Sequence, residues 1–416
     1  MQPWQRNLYT IWVAELVAIM GWGVLQPFIP YFIQELGVTD LAQVELYSGL
    51  AISVHALVMT FSAPFWGSLA DRFGRKLMVE RAMISGSILY FLTSFVQDVP
   101  SLLFLRALQG GFTGTVAAAT TLVASSAPRQ RLGYALGTLQ TAVYLGSLVG
   151  PLVGGVVADQ WGYRAAMQVT SGLWLLATLM VHFLVEELFQ PVSAAREDGV
   201  WHGLRLVLTT PALLSVFAVR IILRLGDRTL MPIMPLFIQT LLEPTAKVAS
   251  ITGVVVGLSG AASAVGAVVL GRVSDRMGAR IVLLASALGA AAFYVPHYFV
   301  TDVWQLATLQ VLVGFCLGGT LTSVSTMLAN LAPSGRQGAV YGVDASAASA
   351  GNALAPMIGA GIAMTLGIRP SFLLVATFFA LAAIAVDRLR PVSFSSAQTE
   401  RPIGTPDPPP DPPQGP

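Results

Sequence analysis

Gly67-Ser68-Leu69-Ala70-Asp71-Arg72-Phe73-Gly74-Arg75-Lys76 is the stretch on which the fold turns. It closes one long apolar run and precedes another, and it is dense in charge where its surroundings have almost none. A degraded copy stands 204 residues later, at Gly271-Arg272-Val273-Ser274-Asp275-Arg276-Met277-Gly278-Ala279-Arg280. That offset is about half the chain, so two related halves are expected. A short, basic, glycine-containing turn is what a tight loop between two spanning helices needs. Glycine permits the turn and close helix approach, while Arg and Lys hold the loop on the cytoplasmic side.

The rest of the composition agrees. Of 416 residues, 55% are hydrophobic and 11% charged, against roughly 25% charge in soluble domains. Apolar runs long enough to cross a bilayer recur from end to end, at roughly 8–33, 46–70, 77–96, 101–123, 132–158, 164–186, 211–239, 248–270, 280–299, 303–327, 337–364 and 370–387. The expectation is an all-α integral membrane protein of twelve transmembrane helices. A net charge of +2, spread over many loops, argues against nucleic-acid binding. The single cysteine, Cys316, excludes a disulfide framework and a cysteine metal site. The first apolar run is too long for a signal peptide and lacks a small-residue cleavage site.

Lys and Arg total 23. With the N-terminus inside, only Arg164, Lys247 and Arg369 fall outside, and Arg106, Arg220, Arg224 and Arg228 lie at membrane depth. All the others collect on the cytoplasmic side, which puts both termini there. The expected organisation is an N-terminal six-helix half (1–186), a cytoplasmic linker (187–210), a C-terminal half (211–389) and a disordered Pro-rich cytoplasmic tail (390–416).

The halves match at an offset of 204 or 205 well beyond the opening loop. Pro27, Pro30, Ile33 and Gln34 align with Pro232, Pro235, Ile238 and Gln239. Gly110 aligns with Gly314, and Pro128, Arg131, Gly133 and Gly137 with Pro333, Arg336, Gly338 and Gly342. Gly146, Pro151, Gly162 and Arg164 align with Gly351, Pro356, Gly367 and Arg369. Six helices return the chain to its starting side, so the repeats are parallel. Parallel six-helix halves around a midplane site are a known transporter plan.

Three motifs resemble the major facilitator superfamily. Gly67 to Lys76 resembles its signature between the second and third helices. Arg106-Ala107-Leu108-Gln109-Gly110-Gly111 resembles the Arg-containing motif of its fourth helix. Gly146-Ser147-Leu148-Val149-Gly150-Pro151-Leu152-Val153-Gly154-Gly155 resembles the fifth-helix motif of its drug:proton antiporter branch, and Gly23 to Pro30 resembles the first helix of that branch. The resemblance implies that Asp71, with Gly67, Arg72, Gly74 and Arg75, forms a gating loop against the start of the eleventh helix. It implies that Arg106 assists proton coupling, and that Gly146, Gly150, Pro151, Gly154 and Gly155 limit leakage against the eighth helix. One departure is that Val123-Ala124-Ser125-Ser126-Ala127-Pro128 lacks the acid often found at the inner end of the fourth helix. Independently, Gly146, Gly150 and Gly154 form a small-residue stripe that admits a close neighbour, and Pro151 bends the helix there. Plain packing glycines would also fit.

Ionisable residues at membrane depth mark a pathway or a buried pair. Glu15, with no charged neighbour on its helix, is the first choice for the proton carrier. Asp227 is a second choice, with Arg224 three residues before it as a structural partner. Arg220, Arg224 and Arg228 form a stripe too regular to face lipid. Either they line a cavity and bind a polar or anionic substrate, or they pair with Glu15, Asp227 and Asp344. His55 is a proton relay or an ordinary interhelical hydrogen-bond partner. Gln26, Gln140, Tyr144, Gln310 and Asn352 supply polar contacts in a cavity or between helices, and Met20, Met231 and Met234 an adaptable wall.

The function expected is export of small, largely apolar compounds in exchange for protons, by a monomer in the cell membrane. A proton-coupled exporter of a metabolite or organic anion is the rival within transport, and a non-transporting receptor or sensor the rival from another class. No P-loop, His-Glu-x-x-His or Gly-x-Ser-x-Gly pattern is present. The expectation is therefore no catalytic residues, no metal and no cofactor; the partners are a small-molecule substrate, protons and lipid.

Overall fold

The computed structural model describes residues 2–112, 114–128, 131–187, 205, 207–243, 245–331 and 337–388. Without water in a bilayer core, every backbone N–H and C=O must be satisfied within the protein, which leaves helices as the economical solution. Among the described residues nine helices are long and apolar enough to cross a membrane. One of them, the run Leu132–Leu184, folds back at Gly162 (φ 85°, ψ 163°) and so crosses twice. Arg75–Thr93 and Pro211–Thr229 carry too many charges to be counted with the nine, yet each packs inside the bundle. The described residues therefore make twelve traverses. We number them α1 (Pro3–Glu35), α2 (Leu41–Phe73), α3 (Arg75–Thr93), α4 (Val99–Ser126), α5 and α6 (Leu132–Leu184 before and after Gly162), and α7 (Pro211–Thr229 with Ile233–Thr240). They continue as α8 (Val248–Met277), α9 (Ala279–Phe299), α10 (Val303–Leu331), α11 (Gln337–Leu366) and α12 (Ile368–Arg388).

Tight turns join the helices where the repeat places glycine. Gly74 and Gly278 have φ 101° and 91°, and Gly162 and Gly367 have φ 85° and 89°. Nothing occupies the space of a Cβ at Gly162, Gly278 or Gly367. The positive φ alone selects glycine at these positions.

Three helices expected to be continuous are broken. A 3₁₀ turn, Gln26–Phe28, interrupts α1 where Pro27 and Pro30 remove backbone donors. A turn before Ile233 interrupts α7 at the equivalent place, beside Pro232. The third break separates Val99–Phe112 from Thr115–Ser126 in α4, with Gly114 at φ 122°. The carbonyls of Gly110 and Gly111 accept instead from Ser62 Oγ (3.1 Å) and Trp66 Nε1 (2.6 Å) of α2.

Each half buries its own apolar core, around Ile11, Phe32, Met83 and Leu102 in one and Leu213, Leu283, Leu306 and Phe372 in the other. Among the contacts that join the halves, two are copies of one another. Gly253 of α8 packs against the backbone of Pro151 in α5. Its repeat partner Gly49, in α2, packs against Pro356 and Ala360 in α11, where a Cβ would lie 3.0 Å from Pro356 O. A duplicated arginine closes each half at the end away from the termini, here called the far end. Arg164 donates to Ser94 O (2.8 Å) and stands 5.4 Å from the Phe32 ring. Arg369 donates to Tyr298 O (2.5 Å) and stands 5.6 Å from the Phe237 ring.

The small-residue stripe of α5 is seated on both sides. A Cβ at Gly150 would lie 2.5 Å from Met20 O of α1, and one at Gly154 2.7 Å from Val24 Cα. Gly155 faces the Ala249 carbonyl of α8. A Gly150→Ala protein should therefore lose about 1–3 kcal/mol of stability through overpacking of backbone on backbone. Gly137→Ala, at a helical position with open space around it, should hold or gain stability. Thermal unfolding in detergent compares the two, and equal behaviour would remove the seam from the account of the fold.

Candidate functional site

A cavity of about 430 Å³ lies between the halves. Its walls come from α1 (Trp22, Gln26), α5 (Tyr144, Ser147, Pro151), α7 (Arg220 to Pro235), α8 (Val255 to Ala267) and α10 (Gln310 to Leu321). Most of the lining is apolar, as small-molecule sites usually are. The hydrogen bonds that join the halves gather toward the far end. Tyr31 Oη donates to Pro235 O (2.5 Å) and lies 2.8 Å from Thr252 Oγ1. Gln34 and Gln239, repeat partners, exchange amide bonds of 2.9 and 3.0 Å. Asp159 of α5 accepts from Ala249 N (3.2 Å) and Ser250 N (2.7 Å), capping the start of α8.

The arginine stripe lines the cavity and pairs with Asp227 and Asp344, but not with Glu15. Arg220 makes a bidentate bond to Asp344 of α11 (Nε to Oδ1 2.9 Å, Nη2 to Oδ2 3.0 Å). Asp227 is shared: its Oδ2 lies 3.7 Å from Arg224 Nη1 and 3.1 Å from Arg228 Nε. Neither distance comes with hydrogen-bond geometry at the Nε atoms, which stay buried without an acceptor. This wall thus holds one positive charge more than its two carboxylates neutralise, with donors to spare.

Glu15 takes no part in these pairs. It is fully buried between α1 and α4, accepts from Thr115 Oγ1 (3.1 Å) at the start of the second α4 segment, and leaves Oε2 without a partner. Arg106 is also fully buried, and its guanidinium is held by amides: Nη1 donates to Gln109 Oε1 (2.9 Å) and Nη2 to Gln26 Oε1 (2.6 Å). The structure does not bring Glu15 and Arg106 together, since α1 runs about 16 Å between Glu15 and Gln26. His55 touches Gly110 through its carbonyl, and its Nδ1 has no hydrogen-bond partner.

Among the other candidates, Gln26, Tyr144, Met231, Met234 and Gln310 line the cavity. Gln140 is exposed outside it. Asp344 stands behind Arg220 rather than in the lining, and Met20 meets Gly150 through its carbonyl. Asn352 keeps a buried Oδ1 without a bond. The surroundings of Gly67 and the side chains of Asp71 and Arg72 lie outside what is described, as do most of the linker and the whole 390–416 tail. At this terminus-bearing end the described anchor is Glu187, whose carboxylate accepts from Arg75 N (3.0 Å) and Lys76 N (2.8 Å) after the turn at Gly74. Sequence reasoning left Asp159 and Glu187 without roles. A carboxylate meets a helix N-terminus far away in sequence, and no local pattern announces it.

A profile of the Major Facilitator Superfamily matches residues 11–223 and 216–412. The multidrug resistance protein MdtG of Enterobacter lignolyticus (strain SCF1) is 34% identical over 376 residues, covering 90% of this chain and 89% of that one. MdtG of Citrobacter koseri is 33% identical, covering 89% and 91%. Among solved structures, the nucleoside transporter NupG superposes with a TM-score of 0.78 at 13% identity, over 92% of this chain and 99% of that one. A bacterial homologue of the human lysosomal transporter Spinster, inward-facing and unoccupied, gives 0.76 at 14% identity, over 93% and 97%. These structural likenesses speak for the fold alone.

Removing Asp344 should strand Arg220 in a half-dry wall. Asp344→Asn is expected to cost about 3–5 kcal/mol, whereas Arg220→Met with Asp344→Leu should recover most of it. Thermal unfolding of the two proteins in detergent decides; a double variant no more stable than the single one would contradict the pairing.

Proposed function

The chain belongs to the major facilitator superfamily and is a transporter, not an enzyme; on that premise we propose that it exports small, largely apolar, drug-like compounds in exchange for protons by alternating access. The observation that carries the reading is the α5 seam. Gly150 and Gly154 meet α1 and Gly155 meets α8 at backbone distance. Such a seam lets the halves rock about a tight contact without opening a leak beside it. The relatives named as multidrug resistance proteins, similar over nine-tenths of the chain, support the substrate class.

In this reading both termini lie in the cytoplasm and the far end outside, as the Lys and Arg distribution supports, and the protein acts as a monomer in the cell membrane. On that orientation Tyr31, Gln34, Gln239 and Asp159 shut the outer side. In this reading Glu15 carries the proton: a carboxyl group buried without a cation beside it suits alternation between protonated and ionised forms as water access changes sides. Asp227 and Arg106 are the second coupling candidates.

One observation favours a rival. Three arginines against two carboxylates on one wall suit an organic anion. Proton release on substrate addition in detergent separates the readings. Lipophilic cations should trigger release in the wild type, and Glu15→Gln should bind them while releasing no protons. Release by anions alone would favour the rival, and binding without any release would end the proton-coupled reading.

A further inference from the structure

Two cavity amides donate to sulfur. Gln26 Nε2 of α1 lies 3.9 Å from Met231 Sδ, and Gln310 Nε2 of α10 lies 3.5 Å from Met234 Sδ. Both glutamines are more than nine-tenths buried, and all four residues line the cavity. The methionines flank the break in α7, in the turn before Ile233 and in the segment after it. The other end of each amide is engaged elsewhere: Gln26 Oε1 takes Arg106 Nη2 at 2.6 Å, and Gln310 Oε1 takes Ser259 Oγ at 3.4 Å. The amides are thus oriented with their N–H₂ groups toward the cavity face of α7.

A thioether is a weak acceptor for an amide N–H, and an unbranched methionine side chain is easily moved. A buried amide donor left with so poor a partner gains by exchanging it for oxygen. Gln310 also occupies the place that Arg106 holds in the first half, 204 residues earlier. The second half thus presents a neutral donor where the first presents a cation shielded behind Gln26.

We propose that Gln26 and Gln310 form a neutral acceptor-oxygen subsite, with Met231 and Met234 as movable placeholders. It takes the carbonyl, sulfonyl or phosphoryl oxygen of a substrate whose apolar body lies against Trp22, Leu223 and Val255. The inference rests on the cavity being the substrate site and names the group that the cavity reads. A site that hydrogen-bonds a substrate oxygen discriminates strongly against the analogue lacking it, because its donors then return to poor partners.

The test uses two probes that differ in one group: (4-benzoylbenzyl)trimethylammonium and (4-benzylbenzyl)trimethylammonium, titrated calorimetrically into the purified full-length protein in detergent. The benzoyl probe should bind about tenfold more tightly than the benzyl probe, the yield of one good hydrogen bond. Gln26→Glu keeps an oxygen for Arg106 but removes the donor, and Gln310→Met removes the other donor without adding charge. Each should cut the preference to about threefold or less, whatever happens to the benzyl probe. Met231→Leu, which leaves both amides in place, should keep or raise the preference. A wild type that binds both probes equally overturns the subsite alone, as does a preference that survives in both glutamine variants. A wild type that binds neither probe overturns the drug-export reading and the subsite together.

Discussion

Backbone-to-backbone contact along α5 is the constraint on which the rest of the molecule depends. Lipid offers apolar side chains nothing that a neighbouring helix does not, so burial of leucines cannot by itself hold two helices together. What holds them is distance. At Gly150, Gly154 and Gly155 the fifth helix touches α1 on one side and α8 on the other. Dispersion and carbonyl contacts then act at close range. The pseudo-symmetric contact of Gly49 with Pro356 and Ala360 does the same for α2 and α11. Two narrow seams, one the copy of the other, join the two halves at backbone distance, beside the hydrogen bonds of Tyr31, Gln34 and Asp159.

Between the seams the polar groups are few, and the walls of the cavity treat them differently. On α7, Arg220 is held bidentate by Asp344, while Arg224 and Arg228 share the Asp227 carboxylate and their buried Nε atoms make no hydrogen bond. On α1 and α4, Arg106 donates to two neutral amides while its Nε has no partner, and Glu15 has one oxygen unused. The halves share a backbone plan but not a charge plan. The position of Arg106 carries Gln310 in the second half, and the helix equivalent to that of Glu15 carries a stripe of arginines. The fold is symmetric while the charge is not: the isolated carboxylate of Glu15 lies in one half and the arginine wall in the other.

Much of the architecture was legible from residues. The twelve traverses and the half-chain repeat were readable because spanning length and glycine turns are local properties. Pairs such as Gln34 with Gln239 and Arg164 with Arg369 aligned in sequence and then took matching places in space. The breaks were harder. Prolines hinted at those in α1 and α7, but the break in α4 depends on Ser62 and Trp66 of another helix accepting the duty of binding the Gly110 and Gly111 carbonyls. Of the site, the membrane-depth charges stood out because charge is rare there. Which carboxylate met which arginine did not, since Arg220 and Asp344 are 124 residues apart.

The sequence by itself determined the solvent, the number of crossings, the twofold plan and the short set of residues that can carry chemistry. These follow from hydropathy, glycine and spacing, which act within a few residues of chain. Only the tertiary structure decided that Glu15 stands apart from every arginine pair, that Asp159 and Glu187 cap helices remote in sequence, and that Gln26 and Gln310 point their donors at methionine sulfur. Each of those outcomes depends on where a second helix happens to lie to within an ångström. Periodicity along one helix carries no record of that.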